Sequence, residues 1–273
     1  MLKARLLTAL VLVPLVIWGV LALPNQLFAL VLAVVVLGGV WELSYLCGLQ
    51  KPSARFLPLL VLVVILPILY AQQDAPWASW LIQALALWWT AVLLVLLSGK
   101  LKLEVKTGPR PLLLFTGLTV LAGVWLAMLR LHGTIPHGPG LMMFFLILIW
   151  VADSGAYFSG RAFGKHKLAP HISPGKTWEG VAGALLGGVF CALILAYLQW
   201  LDISVPLLIL LCVSTVMISV GGDLWESVLK RERGVKDSGN LLPGHGGVLD
   251  RIDSQIAAGP FFLAGLLLLG ALN

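Results

Sequence analysis

Charged residues are scarce in this chain. Asp, Glu, Lys and Arg make up 11% of its 273 residues, where a soluble domain carries roughly 25%. With 60% apolar residues and a mean hydropathy of +1.00, that scarcity excludes a water-soluble globular fold and points to an integral membrane protein. Cysteine is rarer still. Cys47, Cys191 and Cys212 sit inside apolar runs without paired placement or metal-type spacing, which excludes a disulfide framework and a thiolate zinc site and leaves three small core hydrophobes. No internal repeat or inverted half is evident, which lowers the case for a secondary transporter.

What the chain has in quantity is long apolar runs. Crossing about 30 Å of hydrocarbon takes roughly 17 to 25 helical residues. Runs of that kind predict about nine spans, over 6–23, 27–47, 56–71, 79–97, 112–130, 141–160, 180–200, 205–223 and 250–271. The expected fold is an all-α integral membrane protein, a polytopic bundle of about nine transmembrane helices. The first run follows Lys3 and Arg5, but Leu21-Ala22-Leu23 is no small-x-small cleavage site and a second run follows at once, so it reads as a retained helix.

The cations alternate along the chain. Lys3, Arg5, Lys51, Arg55, Lys100, Lys102, Lys106 and Arg110 fall in alternate connections, as do the bases between Arg161 and Lys176 and between Lys230 and Arg251; only Arg130 falls toward the other side. This places the N-terminus and those connections in the cytoplasm. The net charge of +6 therefore reads as topology and contact with anionic headgroups, with no nucleic acid as partner.

Three stretches differ in character. Residues 1–99 are N-terminal spans forming an apolar scaffold, 100–140 a basic cytoplasmic linker or surface helix plus one span, and 141–273 a chemically active region. In the first stretch Glu42 is the one acid within a span. A charge at membrane depth costs about 2.5 to 3.5 kcal/mol on insertion scales and is a functional candidate by default, yet no partner motif stands near it, so Glu42 reads as a helix-packing or interfacial residue. His132 and His137 read as solvated loop residues.

From residue 141 the polar content rises. Asp153 falls about 10 Å inside the sixth span at 1.5 Å per residue, so it should face a polar cavity or a cation, or pair with a Lys or Arg. The cytoplasmic loop Arg161 to Glu179 contains Gly175-Lys176-Thr177. A P-loop is excluded, because Pro170 stands where that motif needs glycine and no strand precedes it; a loop of backbone donors and lysines able to hold phosphate, or to touch headgroups, remains. Gly183 and Gly187 permit close helix approach, within one subunit or at a dimer face.

The densest chemistry lies between Gly221 and Asp253. Asp223, Ser227 and Lys230 fall at i, i+4 and i+7 on one helical face, and Glu226 can pair with Lys230. Asp250 and Asp253 open the last span, so an antiparallel hairpin brings Asp223 and Asp250 to similar depth. Two carboxylates among many bases suit a magnesium ion that takes further ligands from a phosphate-bearing substrate, and the lack of accompanying thiols or a His pair disfavours a softer metal. His245, among Gly244, Gly246 and Gly247, could present backbone N–H groups to an anion, transfer a proton, or be structural. The residues point to metal-assisted chemistry on phosphates at the cytoplasmic face. The rival from another class is a transporter whose acids, Asp153 and Asp223, carry ions.

Ser227-x-x-Lys230-Arg231, Lys236-Asp237, His245-Gly246-Gly247 and Asp250-Arg251-x-Asp253 resemble the signature of the CDP-diacylglycerol synthase (phosphatidate cytidylyltransferase) family, and Asp153 to Tyr157 and Ser173 to Gly180 resemble its other marked segments. The resemblance implies transfer of a cytidylyl group from CTP to phosphatidate, giving CDP-diacylglycerol and pyrophosphate, in the bacterial cytoplasmic (inner) membrane. It implies Mg2+ held by Asp223 and Asp250, with a second cation nearby. It places Lys176, Asp223, Lys230, Arg231, His245, Asp250 and Arg251 as catalytic, and Asp153, Ser173, Thr177, Ser227, Lys236, Asp237, Gly246, Gly247 and Asp253 as substrate-binding. The alternative within enzymes is a CTP-dependent transferase or kinase acting on another membrane lipid such as a polyprenol.

Overall fold

A computed structural model describes residues 2–99, 101, 103–134, 136–241 and 246–272, with the side chains of residues 2–9 left out of the description. Among the described residues there are nine helices: α1 (Leu2–Ala22), α2 (Asn25–Leu46), α3 (Pro52–Ala71), α4 (Pro76–Leu97), α5 (Pro111–Gly133), α6 (Gly138–Phe163), α7 (Trp178–Leu198), α8 (Val205–Arg233) and α9 (Leu249–Leu268). Five of them, α3, α4, α5, α6 and α8, carry proline in the first turn, where its missing N–H is not needed and its fixed φ suits the helix. Seven, α2 to α8, are long and apolar enough on their own to cross a membrane. The described apolar part of α1, Leu10–Ala22, is shorter, and α9 begins with Asp250, Arg251 and Asp253, so charge at its start separates it from the others.

The helices pack most extensively as α6 on α7, α8 on α9 and α7 on α8, while α4 and α5 also pack on α9. The last helix is thus held from both halves of the chain. Small residues set the tightest crossing. A Cβ on Gly155 would stand 2.6 Å from the Gly183 carbonyl oxygen, a Cβ on Gly183 would stand as close to that of Gly155, and a Cβ on Gly187 would meet Val151 at 3.0 Å. The glycine pair in α7 therefore serves α6 within the same chain.

Three local expectations change. The segment before α7 folds as an antiparallel hairpin, β1 (Lys167–Ala169) with β2 (Ser173–Thr177), pairing Lys167 with Thr177 and Ala169 with Ser173. α8 runs on through Asp223 to Arg233; at about 1.5 Å per residue its 29 residues span about 43 Å, so the polar last turns extend past an apolar layer of about 30 Å. His132 is no solvated loop residue. It ends α5 at 4% exposure, stacked on Phe28 with centroids 4.1 Å apart, with Nε2 2.9 Å from the Val20 carbonyl and Nδ1 3.2 Å from Asn25 Nδ2; its polar atoms are met inside the bundle. His137 stacks on Trp200.

The described part of the 101–110 segment forms neither helix nor strand. It is tied down across the charged end of the bundle: Lys106 donates its N–H to the Glu232 carbonyl at 2.7 Å and its Nζ to the Glu232 carboxylate at 3.1 Å. Arg110 pairs with the same carboxylate and reaches the Leu46 carbonyl at 2.5 Å. The starts of α5 and the ends of α2 and α8 are thereby held at one end. The three cysteines are free and buried.

Candidate active site

At the charged end a cavity of about 550 Å³ lies between α6, β2, α7, α8 and α9. Four of these walls contribute chemistry. α6 gives Asp153, β2 gives Lys176 and Thr177, α8 gives Asp223, and α9 gives Asp250, Arg251 and Asp253. Lys176 Nζ lies 2.6 Å from Asp223 Oδ2, with both side chains partly open at 25% and 31% exposure. Asp153, Asp223 and Asp253 lie close enough to feel one another's charge and that of Lys176. Three carboxylates therefore share one adjacent ammonium.

Local structure explains the convergence. Thr177 caps α7 by accepting the Gly180 N–H at 3.1 Å, as a helix N-cap should, which fixes the end of β2 and with it Lys176. The hairpin is held from α8, where Arg231 Nε donates to the Ile172 carbonyl at 3.2 Å. His166 and Glu179 close its base, Nδ1 to Oε1 2.6 Å. Gly222 lets α9 approach α8: a Cβ there would collide with the Asp253 carbonyl and stand 2.9 Å from Ala257 Cβ. The absence of that one carbon sets Asp223 and Asp253 at the same level.

A second set of acids lies beside the cavity and is buried. Lys230 Nζ is 2.7 Å from both Glu226 Oε2 and Asp250 Oδ1, at side-chain exposures of 12%, 1% and 7% respectively. Asp250 Oδ2 accepts the N–H groups of Ser238 and Gly247, each at 2.9 Å. Of a carboxylate's four or so lone-pair directions, three on Asp250 are thus taken. Glu226 Oε1 has no hydrogen-bond partner among the described residues.

The expected residues therefore divide. Asp153, Lys176, Thr177, Asp223, Asp250, Arg251 and Asp253 all line the cavity. Ser227 Oγ lies 3.4 Å from Asp223 Oδ1, and Ser173 pairs within the hairpin. Lys230 and Arg231 do not line it: the first is spent on Glu226 and Asp250, the second on the hairpin. Lys236 lies in neither cavity, and Asp237 lines a separate hollow of about 510 Å³ with Trp41, Arg55 and Asn240. The backbone at Gly246 and Gly247 turns inward to Asp250, since a Cβ on Gly246, at φ +78°, would stand 2.8 Å from its Oδ2 and the Gly247 N–H already donates to it. His245 falls outside the described residues. Sequence reasoning assigned no site role to Glu42, Ser238 and Ser219, of which Ser219 lines the cavity; an acid inside an apolar run was the only signal for Glu42.

The oxygen-only donor set fits a hard cation such as magnesium. Among the described residues no three His, Cys, Asp or Glu side chains converge closely enough to enclose an ion, so the walls could hold only part of a coordination shell, as suits an ion that keeps waters and substrate oxygens.

Fold and cavity together define a polytopic membrane protein with a polar, acid-lined site among its last four helices. A family model described as the cytidylyltransferase family matches residues 3–269. A phosphatidate cytidylyltransferase of Haemophilus influenzae is 44% identical over 284 aligned positions, covering 96% of this chain and 97% of that protein; one of Pseudomonas aeruginosa is 42% identical over 266, covering 97% and 96%. The protein of the same name from Staphylococcus saprophyticus is 44% identical over 141 positions, half of this chain. The chain belongs to the cytidylyltransferase family, and is a nucleotidyltransferase.

Proposed function

We propose that this chain transfers the cytidylyl group of CTP to phosphatidate at the cytoplasmic face of a bacterial inner membrane, giving CDP-diacylglycerol and pyrophosphate. The observation that carries the reading is the position of the cavity: a water-reachable polar site, open to a nucleotide, lies where membrane-spanning helices end. A lipid phosphate can reach that level without leaving the bilayer. The names and near-full-length coverage of the relatives support phosphatidate as acceptor, and the clustering of Lys51, Arg55, Lys106, Arg110 and Arg161 in alternate connections supports the cytoplasmic side.

In the reaction a phosphate oxygen of phosphatidate attacks the α-phosphorus of CTP. The bond from that phosphorus to the bridging oxygen of the β-phosphate breaks, and pyrophosphate leaves with the electron pair. A phosphate monoester already carries nucleophilic oxygens at neutral pH, so the residues act by positioning and by charge. Lys176, fixed by Thr177 and the hairpin, exchanges Asp223 for nucleotide phosphate. Arg251, on the cavity wall, meets charge on the leaving group. Asp223, with the remaining lone pair of Asp250, would hold part of the shell of a magnesium ion, whose other ligands would be waters and phosphate oxygens, and Asp253 adds negative charge beside them. When bound, the ion neutralises the phosphates that would otherwise be repelled by the acidic walls. Asp153 adds to the acidic wall from α6.

The test is direct. Purified protein in detergent, given radiolabelled CTP, phosphatidate and magnesium, should form a lipid-extractable cytidine product, and a chelator should stop it. If folded protein labels a polyprenol but not phosphatidate, the acceptor is wrong; if it labels no lipid, the reading falls.

A further inference from the structure

The acid that the sequence suggests as a helix-packing or interfacial residue has three partners. Glu42 lies one turn before the end of α2, 2% exposed. Its Oε1 accepts the Val248 N–H at 3.0 Å, and its Oε2 accepts the Leu249 N–H and the Ser238 hydroxyl, both at 2.8 Å. Among the described residues α9 has no side-chain cap at its N-cap position: Val248, before its first residue, is already in helical conformation and makes no side-chain bond. The unpaired N–H groups of a helix start need acceptors when buried, and here they come from a carboxylate about two hundred positions away in sequence.

Ser238 passes the contact on. Its Oγ, 3.3 Å from the Asp250 N–H, donates to Glu42, while its own N–H donates to Asp250 Oδ2. Glu42 thus touches, directly or through one serine, both ends of the segment leading into the acids of α9. The glycines near it fit the same reading. A Cβ on Gly239 or on Gly247 would collide with the Glu42 carboxylate, so glycine at these positions makes room for the acid as much as it frees the backbone.

From this geometry we infer that Glu42 is a positioning residue for the transferase site: it fixes Ser238 and the Val248–Asp250 entry into α9, and so sets the aim of Asp250 and Asp253 into the cavity. It acts through these backbone and serine contacts. The inference deepens the function proposed above and rests on it for its kinetic arm only.

Glu42→Gln keeps the shape but turns one acceptor into a donor that faces an N–H or the serine hydroxyl. The expected result, per folded molecule, is a kcat lower by about 10- to 100-fold, as when a partner that orients a metal or catalytic ligand is lost, with the phosphatidate KM within about twofold. Hydrogen exchange should quicken in peptides covering 237–241 and 246–252 and stay unchanged in α6 and α7. Glu42→Asp, which keeps the charge on a shorter stem, should recover part of the rate. An unchanged kcat, or exchange quickened evenly along the chain, would overturn the inference. Should Glu42→Gln fail to fold, Ser238→Ala cuts only the link to the Asp250 segment and is read by the same two measurements. If the unsubstituted protein labels no lipid, the functional reading fails by itself, and local exchange still decides the role of Glu42.

Discussion

Two groups of acids lie at the same end of this bundle and do opposite things. Asp153, Asp223 and Asp253 face an open cavity with Lys176 as their adjacent cation. Glu226 and Asp250 close around Lys230 in the protein interior, and Glu42 closes around backbone N–H groups. Residue type is the same in both, and environment makes the difference. A carboxylate whose lone pairs are filled by the protein builds structure, whereas one left facing solvent beside like charges is free to take a cation or a phosphate-bound ion. Asp250 stands between the groups, three lone pairs inward and one wall on the cavity.

Substitutions should separate the two groups, and the largest effect belongs to the buried one. Lys230→Met leaves Glu226 and Asp250 without their counter-ion, and removal of one partner of a buried ion pair costs about 3–5 kcal/mol; unfolding curves in detergent should show it, and a stability within error of the parent would mean that the triad is hydrated. Asp223→Asn should do the reverse. Turnover falls by about a hundredfold or more, as for loss of a preorganised charge in a reaction site, while the melting curve stays close to the parent; a matched loss of stability would move Asp223 into the structural group. The smallest effect is expected from Arg231→Ala, which removes the bond to the Ile172 carbonyl and so about 0.5–1.5 kcal/mol. It should loosen the hairpin and weaken CTP use several-fold through Lys176; a loss as large as that of Asp223→Asn would give Arg231 a direct contact with substrate.

The hydropathy pattern announced the helices because a span must be apolar over a fixed length whatever its neighbours are. The two extra spans expected beyond the seven that qualify alone, α1 and α9, sit at the ends of the chain, and α9 carries its charges where it leaves the apolar layer. The hairpin at 167–177 gave no such signal. Its strands are three and five residues long, too short for alternation to register, and α8 holds it by a backbone contact that no side-chain pattern announces.

Scarcity of charge decided much in advance: in a chain with few acids, each one inside or beside a span had to be paired, capping or functional, and Asp153, Asp223, Asp250 and Asp253 were all legible on those terms. Which of these fates each acid met was settled only in three dimensions. Glu42 finds its donors at Ser238, Val248 and Leu249, 196 to 207 residues on, and Lys230 turns from a candidate for phosphate into a buried counter-ion because α9 delivers Asp250 against it. Spacing along one helix reports neighbours at i+3 and i+4; the partner of a polar group across the bundle depends on how helices cross, and glycines at 155 and 183 let α6 and α7 meet while Gly222 lets α8 and α9 meet.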